Sequence, residues 1–256
     1  MNKFCLNIII LFLFGFSFSN DPLAVVTKSK GEVDYKKFDT SVFESSKRGM
    51  SIFNTDFFQT GSDGYFAFLY LDDGTLIRVH KNSELFIEGK IDNNAIKKRV
   101  NVDNGAVRFD VKDQKGEEFT VITPTSVASV KGTDFFLNTD GIEDKFYGFE
   151  GVVEILNKES NSIVNLSRNT KITSLPDGTI NIEPITNSDL NLIQEIQSSS
   201  GEEIEIPIEP GNDNQDTDDI DGTGTNDEEN DGIKEMRITV QTSTGEQKEI
   251  IIRYTD

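Results

Sequence analysis

The residues that could carry chemistry in this chain are few in kind. There is one histidine, His80, and one cysteine, Cys5. A nucleophile–histidine–acid triad would have to use His80, and a histidine-rich metal site cannot be built from one imidazole. His80 ends the run "TLIRVH" directly before "KNS", a strand-end position where a lone histidine is expected to be solvated. Lys131-Gly132-Thr133 invites comparison with a phosphate loop. That loop needs lysine after the second glycine of G-x-x-x-x-G-K-[ST] and a helix behind it. Here lysine precedes glycine and a β-rich run follows. The expectation is therefore a bend. Gly132 supplies a positive φ or a close backbone approach, Thr133 and Asp134 bond to freed backbone groups, and Phe135 and Leu137 enter the core. Carboxylates abound, yet no pair is set apart as an acid–base couple, and there is no tryptophan to stack on a sugar. No catalytic or cofactor-binding residue is assigned.

One metal possibility stands in the acidic stretch. Counting from Thr217, "TDDIDGTGTNDE" puts Asp219, Asp221 and Glu228 at loop positions 3, 5 and 12 of a calcium loop, with Gly222 at position 6. Thr217 stands where position 1 wants aspartate, and convincing flanking helices are missing. A calcium-dependent surface or adhesion protein is the alternative function this pattern supports.

The elements that would position such groups are strands. Short β-rich runs recur at 24–27, 65–71, 75–79, 84–87, 100–102, 106–111, 119–123, 127–130, 135–137, 152–156, 163–166 and 179–182. Glycine turn signals separate them: "DDGT" at Gly74, "DNGA" at Gly105, "KGTD" at Gly132, "FEGV" at Gly151 and "PDGT" at Gly178. This punctuation predicts an all-β fold of layered sheets, a sandwich or a β-roll. "GAVRFDV" alternates cleanly, with Arg108 and Asp110 opposite Val107, Phe109 and Val111. "YFAFLYL" and "FFL" are apolar on both sides and predict strands covered on both faces. "DDGTLIRV", "DNGAVRFDV" and "PDGTINI" share a loose pattern compatible with stacked hairpins.

Beyond Ile185 the character changes. "SDLNLIQEIQ" predicts a short helix with Ser188 as N-cap and Leu192, Ile193 and Ile196 on one stripe. Residues 186–232 hold 15 acidic and no basic residues, so most of the net charge of −20 belongs to this stretch rather than to the body. Its composition predicts an acidic linker, mostly disordered. Residues 233–256 read as a β-hairpin, Ile238 and Val240 on one arm and Ile250 to Ile252 on the other. A lone two-stranded hairpin is marginal in water and should dock on the body or on a partner.

The chain opens with Lys3, an apolar run from Phe4 to Phe18, and Ser17 and Ser19 placed for a cut before Asn20. This is the layout of a signal peptide over 1–19. It implies export, to the periplasm or cell surface, with no membrane span after cleavage. Cys5 lies inside it, so the expected mature chain has no thiol. The acidic balance disfavours nucleic acid, and "KKR", Lys97 to Arg99, reads as solvated strand surface.

The motifs together resemble a known family. "GMSIFNTDFFQTGSDGYFAFLYLDDGTLIRV", "NVDNGAVRFDV", "FTVITPTSVASVKGTDFFL" and "FYGFEGVVEI" follow, in order, the pattern of a FecR domain between Val25 and Ile155. The signature positions are Thr123 and Pro124, then Lys131, Gly132, Thr133 and Phe135, then Gly151. Lys131 stands where the family more often has arginine. The resemblance implies an all-β envelope domain of residues 20–185 with no catalytic role. In the best-known members it senses the state of an iron-siderophore receptor for an anti-sigma helix in the cytoplasm. It also implies a binding partner, an envelope protein or the cell wall.

Overall fold

The computed structural model describes residues 21–93, 95–114, 119–198, 234–241 and 247–254, the last two segments by their backbone. Numbered along the chain, seventeen strands form one connected, open β system of two faces. The first sheet runs β4 (Ser51–Ile52), β1 (Ala24–Lys30), β6 (Tyr65–Tyr70), β7 (Leu76–Val79), the end of β9 (Ala95–Val111), β12 (Thr133–Thr139), β13 (Asp144–Glu150), β16 (Thr170–Ser174) and β17 (Ile180–Pro184). The second runs β3 (Glu44–Ser45), β2 (Val33–Lys36), β5 (Asp56–Thr60), β8 (Glu84–Asp92), the start of β9, β10 (Phe119–Ile122), β11 (Ser126–Val130), β14 (Val153–Asn157) and β15 (Ile163–Leu166). Among the described residues only β9 and β10 run parallel. After β9 the chain changes sheet with every hairpin: β10–β11, β12–β13, β14–β15 and β16–β17 alternate between the faces. The expected all-β layered fold is what forms, as a roll of stacked hairpins without barrel closure.

Period-2 alternation sends one side of each strand inward. The inner sides of both sheets meet in one core, along which aromatic rings touch in series. Tyr35, Phe58, Phe66, Phe68, Tyr70, Phe119, Phe109 and Phe135 follow one another at centroid separations of 4.7 to 6.2 Å. Phe109 and Phe135 stack face to face, 8° from parallel. Such ring pairs stabilise by about 0.5–1.5 kcal/mol each beyond their burial.

Helix α1 (Asn187–Ser198) explains the doubly apolar "FFL". Phe135 and Leu137 point into the core, and Phe136 points out, where it joins Ala106, Tyr147, Phe149 and Ile193 beneath the helix. The expected N-cap moves. Thr186 caps the helix, its Oγ1 accepting from the Asp189 amide at 3.2 Å while Asp189 accepts from the Thr186 amide at 2.9 Å. This reciprocal pair is a capping box shortened by one methylene. Of the expected stripe, Ile193 is buried and Ile196 packs beside it, while Leu192 is 41% exposed and Gln197 takes the further buried position. Because α1 packs on the first sheet, the folded body extends past Ile185 to at least Ser198.

Two further expectations are corrected. "DNGA" does not end a strand: β9 runs through it, and Gly105, at φ 112°, bends the chain from the second sheet into the first. A Cβ there would sit 2.1 Å from the Ser83 hydroxyl. Strands β2, β5, β13 and β16 form outside the expected runs: β5, β13 and β16 mix polar residues into their inward faces, Asp56, Thr60, Asp144 and Ser174 among them, and β2 turns only Val33 and Tyr35 inward. The C-terminal hairpin is present as β18 (Lys234–Gln241) paired with β19 (Gln247–Tyr254).

Candidate interaction surface

The signature residues sit at two turns that carry the chain between sheets. Gly132, at φ 69°, links β11 of the second sheet to β12 of the first, and Gly151, at φ 74°, links β13 back to β14. The turns touch. A Cβ on Gly151 would lie 2.7 Å from the Gly132 carbonyl oxygen and 2.7 Å from Thr133 Cγ2. Lys131 is exposed and Phe135 is in the core. Thr123 and Thr125, on either side of Pro124, donate their hydroxyls to the fully buried carboxylate of Asp144, which also accepts from the Thr125 amide at 3.1 Å. Lys131-Gly132-Thr133 is therefore a bend between sheets. The expected polar bonds differ: the Thr133 hydroxyl is buried without a partner among the described residues, and Asp134 pairs with a cation.

That cation is Arg108, whose Nε and Nη2 donate to the two Asp134 oxygens at 3.0 and 2.7 Å. Its guanidinium lies 5.0 Å from the centre of the Phe149 ring. Lys98 corrects the reading of "KKR" as solvated. It is buried, with its ammonium 2.7 Å from Asp72 and 3.0 Å from Asp73, and it also donates to Gln114 Oε1 at 3.0 Å. Burial pushes the neighbouring Tyr70 hydroxyl far up, and the charges of Asp72 and Asp73 add to it. His80 is likewise not solvated: it is fully buried, its ring 5.5 Å from Tyr65 and 5.8 Å from Phe136. These groups brace the fold from within.

The outer face of the second sheet is different in kind. Register pairs Lys36 with Phe57, Phe57 with Phe86, Phe86 with Asn101, Asn101 with Ile122, Ile122 with Val127, Val127 with Leu156 and Leu156 with Ile163. Each is on the side away from the core, so one row crosses eight strands and is apolar at six. The neighbouring row is polar throughout: Glu88, Arg99, Thr120, Ser129, Glu154 and Asn165. On the other flank Asp34, Gln59 and Glu84 align. At one end Phe43 meets Phe57 at 6.0 Å, and Lys36 reaches over both rings at 5.1 and 5.0 Å. The adjoining loop exposes Phe38 (81%) and Val42 (64%), and Ile163 (58%) ends the row. An apolar line broken only at Asn101 and framed by polar rows is the pattern of a docking surface rather than of scattered exposed hydrophobics. No single motif reveals it, because its members are brought together by register alone.

Asp219, Asp221 and Glu228 lie outside the described residues, and among the described residues no group of three or more acidic, histidine or cysteine side chains is arranged to hold a metal ion. Among the same residues no helix is long and apolar enough to cross a membrane.

The crossing turns, the shared core and the alternating hairpins define a two-sheet all-β domain. Residues 56–154, from the first residue of β5 to the second of β14, match the family model described as FecR protein, and this stretch is a FecR domain. No curated protein matches the chain. Two crystal structures of a protein from Parabacteroides distasonis ATCC 8503, provisionally described as an anti-sigma factor, are similar at 18% identity. One gives a TM-score of 0.45 over 53% of this chain and 62% of that one. The other gives 0.46 over 54% and 64%. The chain thus covers less than two thirds of the length of either.

Proposed function

We propose that this protein is an exported, non-enzymatic interaction and sensing domain of the bacterial cell envelope, and that an envelope protein docks on the outer face of its second sheet. The observation that carries the reading is the register row from Phe57 to Ile163, apolar at every position but Asn101, across strands whose other outward residues are polar. The FecR match supports a regulatory rather than a catalytic role. The opening segment, Lys3 and Phe4 to Ser19, supports export.

The test is capture of a partner by the tagged full chain and by a variant carrying Val127→Asp and Leu156→Asp. Both are mixed with detergent-solubilised envelope, and with cell-wall sacculi separately. One envelope protein held by the parent and lost with the variant, at unchanged melting temperature, is the expected result. Equal retention by both would move the surface off this row. Sedimentation with sacculi and no protein partner would replace the protein with the wall.

A further inference from the structure

We propose that the C-terminal hairpin, β18–β19, is the resident occupant of this same row, lying across it in cis and competing with the external partner. The inference rests on the row being the docking surface.

The hairpin's register supplies the first argument. Met236 pairs with Ile252, Ile238 with Ile250, and Val240 with Lys248. Alternation puts these six on one face, five of them apolar. The pairs Glu235–Arg253, Arg237–Ile251, Thr239–Glu249 and Gln241–Gln247 fall on the other, where Ile251 is the one apolar residue of eight. A two-stranded hairpin of this kind has one face made for covering and is marginal until it is covered. Adding it to a sheet edge would satisfy backbone groups and leave the question of that face open, whereas laying it on an apolar row buries the face itself.

Dimensions supply the second argument. From β5 to β15 the row crosses seven strands, and six spacings of about 4.8 Å make roughly 29 Å. Each hairpin arm has eight residues, about 27 Å at ~3.4 Å per residue. One arm therefore spans the row, its Met236, Ile238 and Val240 set against the line of Phe86, Ile122, Val127 and Leu156. Connection is the third. Thirty-five residues separate Ser198 from Lys234, and the reach of that many residues, at most about 3.3–3.6 Å each, exceeds the roughly 10 Å spacing of two packed sheets, so chain length permits passage from the outer side of one sheet to that of the other. A tethered element at such range meets its site at an effective concentration on the order of millimolar.

Trypsin tests this on the full chain. Between Lys171 and Lys234 there is no lysine or arginine, so beyond Lys171 the enzyme can cut only at Lys234, Arg237, Lys248 and Arg253. These sites should be cut about tenfold more slowly in the parent than in Ile238→Asp/Ile250→Asp. Val127→Asp/Leu156→Asp should accelerate cutting by a similar factor while the melting temperature of the body stays put. Combining all four should add nothing further, because both pairs break one contact. Protection should also survive dilution. Equal cutting in parent and variants, multiplying effects in the combination, or protection that fades on dilution would each overturn cis docking, the last in favour of a second copy. Partner capture that depends on the row without any hairpin protection would overturn this inference and leave the proposed function standing.

Discussion

Replacing Gly151 by alanine adds one methyl group, and the geometry fixes what that methyl meets. The backbone at Gly151 is left-handed, φ 74°, a conformation that costs an L-residue roughly 1–2 kcal/mol. The new carbon would also lie 2.7 Å from the Gly132 carbonyl and 2.7 Å from Thr133 Cγ2, well inside the ~3.5–4.0 Å optimum for carbon contacts. The Gly132 carbonyl is backbone of the other crossing turn, so no side-chain rotation relieves that contact, and overpacking of this sort adds about 1–3 kcal/mol. Gly132 offers the internal control. Its φ is 69°, yet a Cβ there would stand 3.4 Å from its nearest neighbour, Asp113 Cα. Gly132→Ala therefore carries only the conformational cost. Thermal unfolding by circular dichroism should separate them: each kcal/mol moves the midpoint by about 2–4 °C in a domain of this size. Gly151→Ala should melt lowest, Gly132→Ala between it and the parent, and Lys131→Ala with the parent. Should Gly132→Ala prove more damaging than Gly151→Ala, or should Gly151→Ala melt like the parent, the abutment of the two turns would be refuted as their reason for being glycine.

Arg108→Ala should destabilise by about 3–5 kcal/mol in urea titration, because it strands Asp134 at a mostly buried site; Arg108→Lys should restore only part, since lysine cannot make the two-pronged contact. Asp144→Asn should cost about 1–3 kcal/mol by the same measurement: the carboxamide oxygen can take over the Oδ2 position that accepts from Thr123 and Thr125, but its nitrogen is then buried at the Oδ1 position, which has no partner among the described residues. Thr186→Ala should cost about 1 kcal/mol through loss of the helix cap, visible as a lower melting temperature. Burial pushes the Asp189 carboxyl up, but bonds from Thr186 and Lys171 outweigh it and hold it below the ordinary range. A depressed folded value means a contribution fully present above the unfolded value of about 3.9 and lost as pH falls through the folded one. The difference in stability between parent and Asp189→Asn should therefore shrink on acidification below about pH 4.

Much of the fold was legible because its punctuation is local. Four of the five glycine signals mark turns, Gly74, Gly132, Gly151 and Gly178, each with positive φ. Gly105 misled because the same "DNG" chemistry that closes a hairpin also lets a long strand bend between sheets, and only the partner strands decide which occurs. Strand β13, "DKFYGFE", hid behind a lysine, an aspartate and a glycine. Its inward Asp144 is tolerated by the threonines beside Pro124, a pairing that spans 19 to 21 residues and has no local trace. His80 and Lys98 were misplaced for a related reason. Sequence shows that a residue is polar, and burial depends on what the neighbouring strand brings: aromatic rings for the first, two aspartates for the second. The proposed docking row was invisible in principle, since each of its six apolar members is separated from the next by a turn, by the long β9 or by a whole pair of strands.

The two outer faces differ in how their doubled apolar positions are resolved. On the first sheet, Phe136, Tyr147 and Phe149 point outward and helix α1, formed by the residues directly after β17, covers them. On the second sheet, "DFFQT", "ELFIEG" and "FTVIT" place Phe57, Phe86 and Ile122 outward by the same alternation, and the one helix of the described residues is already engaged elsewhere. Apolar area left facing water forgoes about 25 cal/mol per Å², a cost that recurs at the partly exposed Phe86, Ile122, Val127 and Leu156 and the exposed Ile163, while Phe57 is already covered. Among the described residues the chain contains one further element with a single apolar face, and its arm length matches the row. A helix tied down closely after β17 makes a permanent cover. A hairpin held by 35 residues makes one that can leave. That difference in tethering is what would let the second face act as a receptor surface while the first serves only the fold.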